Sequence, residues 1–226
     1  MSNRLKILAA GVLLGAAAPA LGNGGGAMPR PATPRVETPE QKAHDLYNDG
    51  LRYVKKADKA QAESDRATDA SRKDKAAREA HDRYASSLEK FQQALQLDPQ
   101  LYEGWNYLGY TSRRLGRYDD ALAAYDKALA LKPGYPDAIE YRGEAYLAVN
   151  RIPDARQAYL DLFAGNRALA DKLLAAMKAW VAAQRAGASG SDPAGVDELD
   201  KWIQERAQIA GQTAALTRAG AAAGWR

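Results

Sequence analysis

The sequence repeats the same kinds of residue at a distance of 34 positions, and this regularity limits the chain to few folds. Phe91 corresponds to Tyr125 at this distance, and Pro99 corresponds to Pro133. A period of this length is typical of helical hairpins that stack side by side into an α-solenoid. We therefore predict an all-α fold built from about three helical hairpins. The predicted hairpins cover residues 40–99, 100–133 and 134–165.

The first 22 residues have the pattern of a signal peptide. Arg4 and Lys6 precede an apolar run over residues 7–17. This run is shorter than the roughly 20 apolar residues that a membrane-spanning helix requires. We predict cleavage near Leu21 or Asn23, with an uncleaved anchor as the alternative. The expected location of the protein is therefore periplasmic or secreted.

Residues 23–39 contain three glycines followed by four prolines. Glycine makes a chain flexible and proline stiffens it into an extended form, so we predict a linker between the signal peptide and the folded part. The glycines lack the lysine and the preceding strand of a phosphate-binding loop. We expect no nucleotide to bind there.

The composition argues against an enzyme. The chain has no cysteine and only two histidines, His44 and His81, which the hairpin model places far apart. It also lacks the Gly-x-Ser-x-Gly motif of a nucleophilic serine. We expect no catalytic residues, no metal site and no cofactor. Without the predicted signal peptide, which holds two basic and no acidic residues, the net charge falls from +4 to +2, which is too small to indicate a nucleic acid as partner.

The central hairpin resembles the tetratricopeptide repeat. Its first helix has a tryptophan followed by a leucine-glycine pair, and its second helix has an alanine, an aromatic residue and an alanine before a proline. Small residues let two helices approach closely while the aromatic rings fill the space between them. The match departs at Ser112, where the family has an aromatic residue. The matching residues are Trp105, Leu108, Gly109, Ala121, Tyr125, Ala128 and Pro133.

The third hairpin follows the same pattern less closely. Gly143 and Tyr159 keep their places, whereas Arg142 stands where the family has leucine and Leu162 where it has alanine. The hairpin ends at Gly165 and Asn166 instead of a proline. We still interpret it as a repeat.

The first hairpin contains 25 extra residues, because Tyr53 and Ser87 are 34 positions apart whereas Ser112 and Ala121 are 9 apart. This insertion is close to seven helical turns at about 3.6 residues per turn, so both helices can lengthen and keep their facing sides. We predict two long arms that turn near Thr68 to Ser71 and project about 19 Å beyond the other hairpins. A docking arm, a solvated hairpin without function and a partly disordered segment all remain open.

Two more helices are predicted over residues 166–219, followed by a tail over residues 220–226 that contains Trp225. Apolar residues recur at helical spacing in both segments, and a glycine-rich linker separates them. We expect these helices to cap the open end of the stack. The apolar residues are Leu169, Leu173, Leu174, Met177, Trp180 and Val181 in the first helix, and Val196, Leu199, Trp202, Ile203, Ile209 and Leu216 in the second.

The resemblance implies a function as a binding module, since the first helices of tetratricopeptide hairpins line a groove for a peptide or a partner helix. We expect an exported adaptor for a protein or peptide. A self-assembling structural protein and an accessory subunit of an envelope enzyme complex are the alternatives. Two of the candidate residues are Arg113 and Arg114, and their pairing with Glu140 or Glu144 is an equally good interpretation. The candidate partner-binding residues are Tyr47, Leu51, Asn106, Tyr110, Arg113, Arg114, Glu140 and Glu144.

Overall fold

The computed structural model describes residues 37–187 and 192–222, and within them the chain is helical with no strand. The predicted signal peptide, most of the predicted linker and Trp225 lie outside the described residues. None of the described helices is both long and apolar enough to cross a membrane. The helices are α1 (Pro39–Arg66), α2 (Ala70–Leu97), α3 (Tyr102–Arg114), α4 (Tyr118–Leu131), α5 (Pro136–Ala148), α6 (Ile152–Gly165), α7 (Arg167–Arg185) and α8 (Pro193–Ala222).

The predicted long first hairpin is confirmed. Helices α1 and α2 each have 28 residues, about 42 Å at 1.5 Å per residue. Thr38 caps α1 in a capping box with Gln41, and Asp69 caps α2 through the backbone N–H of Arg72. The turn at residues 67–69 begins one residue earlier than predicted, and Ser71 belongs to α2. Of the alternatives left open for this segment, partial disorder does not match the structure, because both helices run without a break.

The bases of the first two hairpins are built alike. A Cβ atom added to Gly50 would lie 2.5 Å from the ring of Phe91, and one added to Gly109 would lie 2.6 Å from the ring of Tyr125. Both rings are fully buried. The 25-residue insertion therefore leaves the facing sides of the first hairpin in place, as the whole number of turns requires.

Beyond the base, the first hairpin is held together by small residues. Ala57, Ala60, Ala76 and Ala80 are all buried between α1 and α2. Near the turn, the hydroxyl of Ser64 donates a hydrogen bond to the carbonyl oxygen of Lys73. We call the part of this hairpin beyond the base, residues 56–80, the arm.

The third hairpin packs differently from the others. Gly143 faces Leu173 of α7 and Ala158, not Tyr159. The ring of Tyr159 instead lies 5.3 Å from that of Trp202 on α8. Helix α7 therefore packs against α5 and α6, and α8 packs against α7 and reaches α6 through side chains such as Trp202.

The two predicted C-terminal helices are confirmed, and they continue the stack as a further pair. Asn166 ends α6 and caps α7 by accepting a hydrogen bond from the backbone N–H of Leu169. The buried residues of α7 and α8 form one core with those of α5 and α6. Helix α8 extends to Ala222, three residues beyond the predicted end at 219.

Candidate functional site

The first helices of the hairpins lie next to one another, with α1 against α3, α3 against α5, and α5 against α7. Together they form what we call the inner surface. Each presents to this surface the side chains that are spaced three and four residues apart along one side of the helix.

Four half-buried tyrosines form a continuous row across α1, α3 and α5, which we call the tyrosine row. Its members are Tyr47, Tyr107, Tyr110 and Tyr141. The ring centres of successive members lie 5.9, 6.2 and 5.1 Å apart. At one end the ammonium group of Lys172 lies 4.7 Å from the ring centre of Tyr141. The contacts between the four rings are edge-to-face or tilted, which are the arrangements that aromatic pairs favour.

An ionic network joins α3, α5 and α7 beside the tyrosine row. Arg113 lies 2.6 Å from Glu144, and both side chains are at least four-fifths buried. Lys172 donates a hydrogen bond of 2.9 Å to Glu140, whose side chain is fully buried. These two contacts connect three consecutive inner helices. For Arg113 and Glu144, removing one partner would leave a largely buried charge.

The two carboxyl groups of this network share α5 and lie one helical turn apart. Burial, together with the neighbouring Glu144, raises the pKa of Glu140 to about 8, although Lys172 opposes the shift. Arg113 also lies over the rings of Tyr110 and Tyr141, at 5.6 and 6.0 Å from their centres. The network is therefore part of the packing of the inner surface.

Asp58 connects the arm to the second hairpin. One of its carboxylate oxygens accepts hydrogen bonds from the hydroxyls of Tyr84 and Tyr110, at 2.5 and 2.6 Å. Burial first, and then the hydrogen bond to Asp58, raise the pKa of Tyr110. Arg114 lies 5.1 Å from the ring centre of Tyr84. A residue of the insertion thereby helps to fix one member of the tyrosine row.

A second group of tyrosines lies at the edge of the inner surface where α3 and α5 begin. The rings of Tyr102 and Tyr135 meet edge to face with centres 5.1 Å apart. The ammonium group of Lys132 lies 4.3 Å from the first ring centre and 5.3 Å from the second. Glu103 and Asp137 stand in the first turns of the two helices.

The predicted binding residues fall into three groups. Tyr47, Leu51, Tyr110 and Arg114 reach the surface. Arg113 and Glu144 pair with each other, which is the alternative interpretation of that arginine. Asn106 and Glu140 are buried, at 1% and 0% exposure.

The sequence prediction missed several residues of the tyrosine row and of the contacts that support it. Tyr107 and Tyr141 are 34 positions apart, so the repeat period contained the signal for both. Lys172 lies in a helix that was predicted as part of the cap and not as part of the inner surface. Asp58 lies in the insertion, which has no counterpart in the other hairpins, so the period gave no signal for it.

A cleft of about 420 Å³ lies at the turn of the arm, away from the inner surface. Lys59, Glu63, Arg66, Asp69 and Arg72 line it, and all five are exposed. Charges of both signs alternate around this cleft, as on a solvated surface. We assign it no role.

Nowhere in residues 37–187 and 192–222 do three metal-ligating side chains come together.

Two family models of the tetratricopeptide repeat match the chain, one over residues 75–136 and the other over residues 113–181. The chain thus contains tetratricopeptide repeats. Among solved structures, the first TPR of Spaghetti (RPAP3) bound to the HSP90 peptide SRMEEVD is similar, with a TM-score of 0.47 and 18% sequence identity. The similarity covers 64% of this chain and 97% of that one. No curated protein matches the sequence.

Proposed function

We propose that the protein is an exported adaptor without enzymatic activity, and that it binds an extended segment of a protein or peptide along the tyrosine row. The observation that supports this most is the continuity of the row across three consecutive inner helices. Its three steps of 5.9, 6.2 and 5.1 Å correspond to about five residues of extended chain.

Tyrosine suits such a surface for physical reasons. Its ring offers a large contact area and its hydroxyl a hydrogen bond, while only two side-chain torsions have to be fixed on binding. Tyrosine and arginine are accordingly enriched among the residues that dominate binding energies. The row is also preorganised, because Asp58 and Arg113 hold Tyr110 from two sides.

Selection of peptides from a displayed dodecapeptide library on the immobilised protein tests this function. We expect the double substitution Tyr107→Ala and Tyr141→Ala to raise the Kd of the selected peptides at least tenfold. Tyr118→Ala is the matched control, because this tyrosine is exposed at the start of α4, on an outer helix. Circular dichroism checks that both variants keep their helicity.

Hydrogen exchange of the unaltered protein gives a test that does not depend on a variant. A bound peptide should slow the exchange of amides in α1, α3 and α5 more than in α4 and α6. Protection confined to the arm would instead make the arm the docking site. Light scattering of the same sample measures the mass, and a dimer or larger species that selects no peptide would support self-assembly.

The export part of the proposal is supported by Arg4, Lys6 and the apolar run that follows them. Expression of the full chain in a bacterium and sequencing of the recovered N-terminus tests it. A mature protein that begins near Leu21 or Asn23 is expected. Recovery of the intact chain from the cytoplasm would contradict export and leave peptide binding untouched.

A further inference from the structure

The carboxylates of the inner surface differ in whether a basic side chain pairs with them. Glu140 and Glu144 are paired with Lys172 and Arg113. Glu103 and Asp137, which occupy equivalent positions one repeat apart, have no hydrogen-bond or ion-pair partner among the described residues. Both are only half buried. Two negative charges are therefore left on adjacent helices at one edge.

These carboxylates lie beside tyrosine rings. Glu103 is one helical turn before Tyr107 on α3, whose ring centre lies 5.9 Å from that of Tyr47, and Asp137 follows Tyr135 by two residues at the start of α5. Burial is the main cause of the raised pKa of Tyr47 and Tyr135, and the charges of Glu103 and Asp137 raise both values further. Asp137 also contributes to the raised pKa of Tyr107. A nearby negative charge disfavours the ionised form of a phenol, and partial burial strengthens this effect. We call this group of two carboxylates and three tyrosines the acidic edge.

A buried side chain next to the acidic edge also lacks a donor. Asn106 lies one turn beyond Glu103 on the same face of α3, with 1% exposure, and its Oδ1 atom has no hydrogen-bond partner among the described residues. This acceptor without a donor lies on the face that carries Glu103, where a donor group of a ligand would satisfy it.

One tyrosine of the acidic edge, Tyr135, already contacts a cation of the protein itself. Lys132 lies over Tyr102 and Tyr135 and donates a hydrogen bond of 2.8 Å to the hydroxyl of Tyr102. It forms no ion pair with Glu103 or Asp137 among the described residues, and one ammonium group balances only one of the two carboxylates. The first-turn position of both acids favours their helices, yet this accounts neither for the surrounding rings nor for the unpaired Asn106.

We propose that the acidic edge binds a lysine or arginine side chain of the partner peptide, with Glu103 and Asp137 as counter-ions and Tyr47, Tyr107 and Tyr135 as the aromatic wall. Arginine fits best, because its planar guanidinium supplies five donors and stacks on aromatic rings. The proposal rests on the inner surface being the binding face. It adds that one side chain of the partner peptide is basic.

The peptide selection described above, carried out on the full chain, supplies the probe. We expect the selected peptides to share a lysine or arginine at one position. The double substitution Glu103→Gln and Asp137→Asn should raise the Kd of the best such peptide at least tenfold. The control is Asp119→Asn with Asp120→Asn, which removes two exposed first-turn acids from α4 and changes the net charge equally. The control should leave the Kd within twofold.

Neutral analogues of the peptide make the test specific. Citrulline in place of arginine, or acetyl-lysine in place of lysine, should weaken binding to the unaltered protein tenfold and have no further effect on the Glu103→Gln, Asp137→Asn variant. Peptides that lack a shared basic residue, an unchanged Kd in that variant, or an equal loss in the α4 control would each overturn this proposal and leave the adaptor function standing. Failure to select any peptide would overturn both.

Discussion

The first and second hairpins share one contact at their base and differ in what holds the rest of their length. In each, a glycine lies directly against a buried aromatic ring, Gly50 against Phe91 and Gly109 against Tyr125. The second hairpin ends within a few turns of that contact. The first continues into the arm, where alanines replace the aromatic residues.

The difference shows that the repeat motif determines the packing of the base only. A buried methylene group contributes about 0.8 kcal/mol, so a stretch held by alanine methyl groups has far less apolar stabilisation per residue than one built around a tyrosine or phenylalanine ring. The arm should therefore open locally more often than the base. Stack and arm are expected to respond differently to the same kind of substitution.

The largest effect should come from removing the rings at the two bases. Phe91→Ala and Tyr125→Ala are each expected to lower the free energy of unfolding by about 3–5 kcal/mol, the usual cost of truncating a buried aromatic side chain. Urea denaturation followed by circular dichroism measures both. The exposed Tyr118→Ala serves as the control. Losses that differ by more than 2 kcal/mol, the width of that range, would show that the two bases are not equivalent.

A smaller and local effect is expected in the arm. Ala80→Leu inserts a large side chain between α1 and α2, where the alanine is 1% exposed, and overpacking of this kind costs about 1–3 kcal/mol. Hydrogen exchange should speed up in residues 56–80 and stay unchanged in α3 to α6. Ala77→Leu is the matched control, because Ala77 is exposed on the same helix. Faster exchange throughout the stack would mean that the arm and the stack unfold together.

The sequence predicted the architecture well because the stack repeats. The 34-residue period located the hairpins, and counting 25 extra residues led to the long first pair. The arm residues favour helix and contain neither proline nor glycine, which made the helices predictable even without apolar residues.

The site was predicted only in part, because side-chain pairing across helices leaves no periodic signal. Positions equivalent to Tyr47 include Asn106 and Glu140, and only the tyrosine reaches the surface. Tyr107 and Tyr141, each one position further along, are the partly exposed residues of those helices. The packing of Gly143 against Leu173 of α7 was likewise not visible, because it depends on how two distant segments meet.

The junction between the arm and the second hairpin should contribute an intermediate amount. Asp58→Ala removes the acceptor of two tyrosine hydroxyls and is expected to cost about 2 kcal/mol, as hydrogen bonds to a charged group usually do. Asp58→Asn keeps an acceptor oxygen and should cost less. Urea denaturation compares the two, and equal losses would show that the hydrogen bonds contribute little.

Deletion of residues 56–80 removes the arm together with Asp58 and returns the first hairpin to the spacing of the others. The shortened protein is expected to fold, with a stability loss close to that of Asp58→Ala, because the base contact between Gly50 and Phe91 remains. Circular dichroism and peptide binding check the fold and the inner surface. An unfolded product would show that the arm is needed for the stack.

The smallest effect at acidic pH should come from Glu140→Gln on α5, the first helix of the third hairpin. The pKa of Glu140 in the folded protein is about 8, against an ordinary value of 4.5. Between these values the folded state holds a proton that the unfolded state has lost, so the free energy of unfolding falls as the pH rises from 4.5 to 8. Glutamine resembles the protonated form and keeps an oxygen for Lys172. The variant should therefore match the unaltered protein at low pH and lose less stability up to pH 9, measured by urea denaturation across this range.

Lys178→Gln, at an exposed position of α7, is the control and should retain the original pH dependence. Parallel curves for Glu140→Gln and the unaltered protein would contradict the raised pKa of Glu140.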